Sequence, residues 1–95
     1  MQYNSERLAF GQYLRTSRQE AGITQKELSS RLGYASSQFV SNWERGLSFP
    51  APNNLSLIAD VLGIGVGEII DALVEEKTYR LRQRLERNAL ANSRP

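Results

Sequence analysis

The chain predicts an all-α fold: five helices in one small domain, followed by an additional C-terminal helix. Three observations carry this. Apolar residues recur three and four positions apart in each long segment, the spacing of one helix face. Nowhere do they alternate with polar residues as in a half-buried strand. Glycines at 22, 33, 46 and 63 divide the chain into pieces of helical length.

The first helix is expected to start after Ser5, a good N-cap, and to end at Ala21 before Gly22. Phe10, Leu14, Ser17 or Arg18, and Ala21 lie on its inner stripe, and Gly11 permits close approach of a neighbour. Thr24 caps the second helix, with Glu27 three residues later completing a capping box. Leu28 and Leu32 face inward, and Gly33 ends that helix. The third starts at a Ser36 cap and runs to about Arg45, before Gly46. Leu47 to Pro52 form a rigid connector whose apolar members are expected to pack on the core. Leu55, Ile58, Ala59 and Leu62 mark a fourth helix closed by Gly63, and Ile69, Ile70 and Leu73 a fifth that starts near Val66. No breaker follows until about Ala91. Val74, Thr78, Leu81, Leu85 and Ala89 make a narrow apolar stripe there, flanked by arginines, and Ala91 to Pro95 are expected to fray.

Composition removes several functions. The 95 residues contain neither Cys nor His, so thiol nucleophiles, Cys-ligated zinc and the commonest general base are excluded. The carboxylates and the two lysines, Lys26 and Lys77, are not clustered for catalysis. The expectation is therefore no enzyme, no cofactor, no metal and no small-molecule ligand. No long apolar run or export leader is legible, which leaves the cytoplasm as the default and no membrane partner. The net charge of +2 is unevenly placed. Residues 1 to 76 carry 6 basic and 9 acidic side chains, whereas residues 77 to 95 carry 6 basic and 1 acidic. Any nucleic-acid binding by the body of the domain must rest on local arrangement.

That arrangement lies in the second and third helices, about 25–32 and 37–45. Gln38, Ser41, Asn42 and Arg45 recur at i, i+3, i+4 and i+7 and share one face. Solvated helix faces are usually Lys and Glu. Gln and Asn instead present a donor beside an acceptor, which matches adenine N6 and N7 in the major groove. Gln38 and Asn42 are thus the leading candidates for reading bases, with Ser41 secondary and Arg45 on a base or a phosphate. Ser37 and Phe39 are weaker candidates; Phe39 would touch a thymine methyl or fold back on the core. Trp43 shares an edge with Val40 and is expected in the core rather than stacked on a base. Two short helices meeting at a glycine turn, the second bearing the reading face, make a helix-turn-helix.

Residues 8 to 74 resemble the Cro and phage-repressor (Cro/C1) type of helix-turn-helix domain, the xenobiotic-response-element family. The resemblance rests on Leu14, Arg18, Gly22, Thr24, Gln25, Leu28, Gly33, Val40, Ser41, Glu44, Arg45, Gly46, Pro50, Leu55, Ala59 and Leu62-Gly63. It implies a repressor-like five-helix DNA-binding domain over residues 1–74, with a basic C-terminal helix and tail over 75–95. It implies a phosphate contact at Gln25, at the start of the second helix, and an internal ion pair between Arg18 and Glu44. Thr24, Lys26, Ser36 and Ser48 are the further phosphate candidates. Two departures stand out. The turn Tyr34-Ala35-Ser36-Ser37 is one residue longer than the commonest pattern, and Ser29 occupies a position usually held by Ala. The longer turn shifts the third helix against its scaffold and leaves open which side chain lies deepest in the groove.

The expected function is a sequence-specific regulator, a repressor that binds a palindromic operator in double-stranded DNA as a homodimer. The competing readings are the antitoxin of a toxin–antitoxin pair, with a protein partner on the C-terminal helix, and a protein-interaction module of the same fold that does not bind DNA. Three readings of the tail arginines remain open. They solvate a helix that packs on the domain or on a second subunit, they add phosphate contacts, or they belong to a disordered end.

Overall fold

The computed structural model describes residues 8 to 92. Among these residues five α-helices appear in order: α1 (Phe10–Glu20), α2 (Gln25–Arg31), α3 (Gln38–Glu44), α4 (Leu55–Leu62) and α5 (Val66–Asn92), with a 3₁₀ turn, Pro52–Asn54, before α4. Among the described residues there is no strand. The C-terminal helix expected beyond the fifth is its continuation, one unbroken helix of 27 residues, about 40 Å long. No helix among the described residues is long and apolar enough to cross a membrane.

Phe10 and Leu14 of α1, Leu28 of α2, Val40 and Trp43 of α3, Leu55, Ile58, Ala59 and Leu62 of α4, and Ile69 and Leu73 of α5 form one buried cluster. Each helix contributes a stripe too narrow to be stable alone, so the five stand only by closing on each other. Helix α1 lies against both α3 and α5, while α2 bridges α3 and α4. Gly11 allows the first of these contacts: a Cβ there would overlap the carbonyl of Glu44. Gly22 and Gly33, each at positive φ, turn the chain after α1 and α2.

Several expectations are corrected. Ser5 lies outside the described residues, but α1 does not begin after it: Leu8 and Ala9 are non-helical and Ala9 holds the N-cap position in extended conformation. A distant side chain takes over the capping, since the Phe10 N–H donates to Glu76 Oε1 at 3.0 Å. Ala21 is exposed, and the inner stripe of α1 ends at Arg18. The α3 N-cap position belongs to Ser37 rather than Ser36. In the connector Phe49 is half-buried and Pro50 buried, but Leu47 is exposed because the turn at Gly46 carries it away from the core. Ile70 is exposed too: the inner stripe of α5 is Ile69, Leu73 and Glu76, and Ile70 stands one residue, about 100°, round the helix. Ala91 and Asn92 are helical.

Candidate nucleic-acid interface

The paired helices are fixed from their ends inward. Thr24 Oγ1 accepts from the Glu27 N–H at 3.0 Å, and Glu27 Oε1 accepts from the Thr24 N–H at 2.8 Å, closing the capping box at the start of α2. The long turn is anchored by Tyr34. Its N–H donates to the Ser29 carbonyl at 2.9 Å, and its hydroxyl accepts from Asn54 Nδ2 at 2.7 Å. Its ring stacks on Phe39, centroids 4.5 Å apart, and meets Trp43 edge-on at 5.9 Å. The extra residue is thus absorbed by an aromatic ring wedged against α3. Ser29 is buried with no hydrogen-bond partner for its hydroxyl, the consequence of a serine where α2 and α3 touch.

Glu44, at the last position of α3, is the hub. Arg18 Nε donates to Glu44 Oε2 at 2.6 Å and Arg18 Nη2 to Oε1 at 3.1 Å, a two-pronged pair with side chains only 10% and 3% exposed. A third donor of Arg18, Nη1, reaches the Ile23 carbonyl at 2.9 Å. Gln25 Nε2 also donates to Glu44 Oε1 at 2.9 Å. One carboxylate therefore ties α1 and the first residue of α2 to the end of α3, and Arg18 adds the α1–α2 turn. The planar guanidinium suits this buried fork in a way a lysine would not.

The predicted reading face comes together on α3. Gln38 Nε2 donates to Asn42 Oδ1 at 2.9 Å across one helical turn. That bond restrains both amides and leaves Gln38 Oε1 to accept and Asn42 Nδ2 to donate elsewhere. Ser41 is half-buried, and Arg45 is exposed at the C-cap. Phe39 is 51% exposed, its ring stacked on Tyr34 rather than folded into the core. Trp43 is in the core, as its spacing from Val40 requires.

The phosphate candidates divide by commitment. Lys26 is exposed. The Thr24 hydroxyl serves the capping box and the Gln25 amide N–H holds Glu44. Ser36 Oγ accepts from the Gln38 N–H at 3.3 Å, and Ser48 is half-buried beyond α3. Ser37 sits at the N-cap position with no side-chain capping bond.

Sequence reasoning overlooked a clasp between α5 and α3. Buried Glu76 receives the Phe10 N–H and also Arg80 Nε, the latter at 2.7 Å. Arg80 Nη2 then donates to the Gly46 carbonyl at 3.2 Å, at the turn that ends α3. The guanidinium lies over the Phe49 ring, 4.9 Å from its centroid, with the Lys77 ammonium at 5.2 Å. Phe49 in turn meets Phe10 edge-on at 6.1 Å. The legible signal was the Glu76 and Arg80 spacing of four within an otherwise basic run.

A short helix held at its end by a buried ion pair, with two bonded amides exposed on it, is packed against a second short helix across a glycine turn, which is the helix-turn-helix arrangement. Residues 14–69 match the helix-turn-helix family model. The chain belongs to that family and is a DNA-binding transcription regulator. Two solved structures resemble it. The P22 c2 repressor, solved in complex with a synthetic operator, shares 25% identity at a TM-score of 0.61 over 68% of this chain and 97% of its own. The clp gene regulator ClgR from Corynebacterium glutamicum shares 26% identity at a TM-score of 0.61 over 92% of this chain and 93% of its own. No curated protein matches the chain significantly.

Proposed function

We propose that this regulator is a repressor that binds a palindromic operator as a homodimer, reading bases through Gln38 and Asn42. The observation that carries the reading is the bonded pair of exposed amides on α3. Two amides locked to each other present one acceptor and one donor in fixed relation, and a base edge such as adenine N6/N7 offers the complementary pair. Ser41 and Arg45 extend the same face. Phe39 places an apolar ring where a thymine methyl would lie. Gln25, Lys26 and Ser48 border the face and serve the phosphates, which set register rather than sequence preference. The solved complex of the P22 c2 repressor with an operator supports DNA as the partner.

A dimer follows from reach. A seven-residue α3 reads only a few base pairs, whereas two of them about 34 Å apart address successive major grooves. Selection of bound fragments from random duplexes by the purified chain, followed by sequencing, tests the proposal. The expected result is an inverted repeat whose half-sites lie about one helical turn apart. A single unrepeated half-site would refute the homodimer. Weak binding without enrichment, abolished by moderate salt, would refute base reading altogether.

A further inference from the structure

Helix α5 is charged by halves. Its acids lie before residue 77 except Glu86, and from residue 77 to its end it carries five basic side chains. Along the side turned away from the core, Val74, Leu81 and Leu85 are 56%, 46% and 57% exposed. Leu81 and Leu85 border a shallow groove that includes Thr78. Nothing else in the described chain covers this stripe: residues 81 to 92 are exposed throughout.

The charge pattern selects the occupant. Two copies of α5 laid parallel would set Asp71 and Glu75 against their own kind and Arg82 against Arg82, which is self-repelling. Laid antiparallel about a two-fold axis near Thr78, each Val74 meets Leu81 and Leu85 of the other copy. Each Arg82 then falls beside Asp71 and Glu75 of the other copy. We infer that this stripe is the interface between two copies of the chain, closed by antiparallel pairing of α5. The same patch serves on both sides, as an isologous contact requires. The inference rests on the homodimer reading above and adds to it the surface and its polarity. The clasp from Glu76 through Arg80 to Gly46 joins this interface to α3, so the pairing of α5 also sets how the two reading helices are presented.

The chain has no cysteine, so single introduced cysteines report geometry cleanly. Thr78→Cys and Leu85→Cys full-length chains would be oxidised mildly and run without reductant, beside sedimentation velocity over a range of concentrations. Antiparallel pairing brings the two copies of position 78 together and holds the two copies of position 85 about 20 Å apart, far beyond disulfide reach. The expected result is a linked dimer for Thr78→Cys and none for Leu85→Cys. Linkage of both would indicate parallel pairing and overturn the inference. A dimer in sedimentation with neither variant linked would place the interface elsewhere, overturning this assignment while leaving the homodimer intact. A chain that stays monomeric at every concentration overturns it as well; an inverted repeat recovered in the DNA selection would then show that operator reading survives without it. As a second measure, Glu75→Arg is expected to weaken association about tenfold, and adding Arg82→Glu to the same chain to restore it. No effect of Glu75→Arg would also count against the pairing.

Discussion

At the residue scale, the side chains proposed to read bases and those that hold the scaffold are different and sit within a turn of each other. Gln38 and Asn42 are exposed or half-exposed and touch chiefly one another. Under the proposed reading, removing either removes a partner for a base and little packing. Gln38→Ala and Asn42→Ala are expected to weaken binding to the selected operator by about 1–3 kcal/mol each while leaving binding to unrelated duplexes unchanged. Gln25→Ala is expected to weaken both about equally; titrations against the operator and a scrambled duplex separate the two behaviours. Operator affinity unchanged in both α3 variants would mean that the reading face lies elsewhere. Arg18 is the opposite case. It makes no predicted DNA contact, yet its loss leaves the Glu44 carboxylate, only 3% exposed, without its counter-charge and with the Gln25 amide as its remaining donor. Arg18→Ala should cost about 3–5 kcal/mol in urea unfolding. A loss under 1 kcal/mol would show that the pair is dispensable.

At the element scale, the helices with the least intrinsic means to form are the most strongly tied. Helices of seven residues such as α2 and α3 are too short to persist alone in water. The first is held by its capping box and the second by Glu44, Tyr34 and its buried Val40 and Trp43. Helix α1 lacks a side-chain cap of its own and borrows one from Glu76. Glu76→Ala would leave the Phe10 N–H unpaired in the core and is expected to destabilise the domain by about 1–3 kcal/mol. Arg80→Ala should cost less than about 1 kcal/mol, because the Arg80 side chain is 46% exposed and its pairing is screened by water. Comparing the two denaturation midpoints checks the order; an equal loss would mean that the Arg80 pairing, not the cap, carries the stability.

At the scale of the whole molecule, the chain divides into a packed body and a projecting rod. The buried cluster ends at Leu73 and the last buried residue is Glu76. The remainder of α5 adds length and positive charge but no core. Deleting residues 81 to 95 is therefore expected to leave the unfolding free energy of the monomeric body within about 0.5 kcal/mol of the parent, while operator binding falls because the α5 stripe is lost. Calorimetry beside operator titration reads both. A body that unfolds on truncation would show that the rod stabilises it in ways its exposure does not reveal. ClgR resembles 92% of this chain, the P22 c2 repressor 68%, so part of the rod has a counterpart in the former.

The five helices, the glycine turns, the capping box and the burial of Trp43 were legible in the chain alone, because they follow from local spacing and from residues within four positions of one another. The face shared by Gln38 and Asn42 was legible for the same reason. The Arg18–Glu44 pair was legible only through resemblance, since the partners are 26 residues apart. The features that local spacing leaves undetermined depend on distant chain segments. The cap of α1 is supplied from 66 residues away, and the long turn is anchored by Tyr34 on Asn54. Arg80 reaches the end of α3 across 34 residues. Ile70 and Leu47 look like core in composition yet are exposed: the rotation of α5 against its neighbours decides between Ile69 and Ile70, which helical spacing alone leaves open by one residue, and the turn at Gly46 directs Leu47 outward.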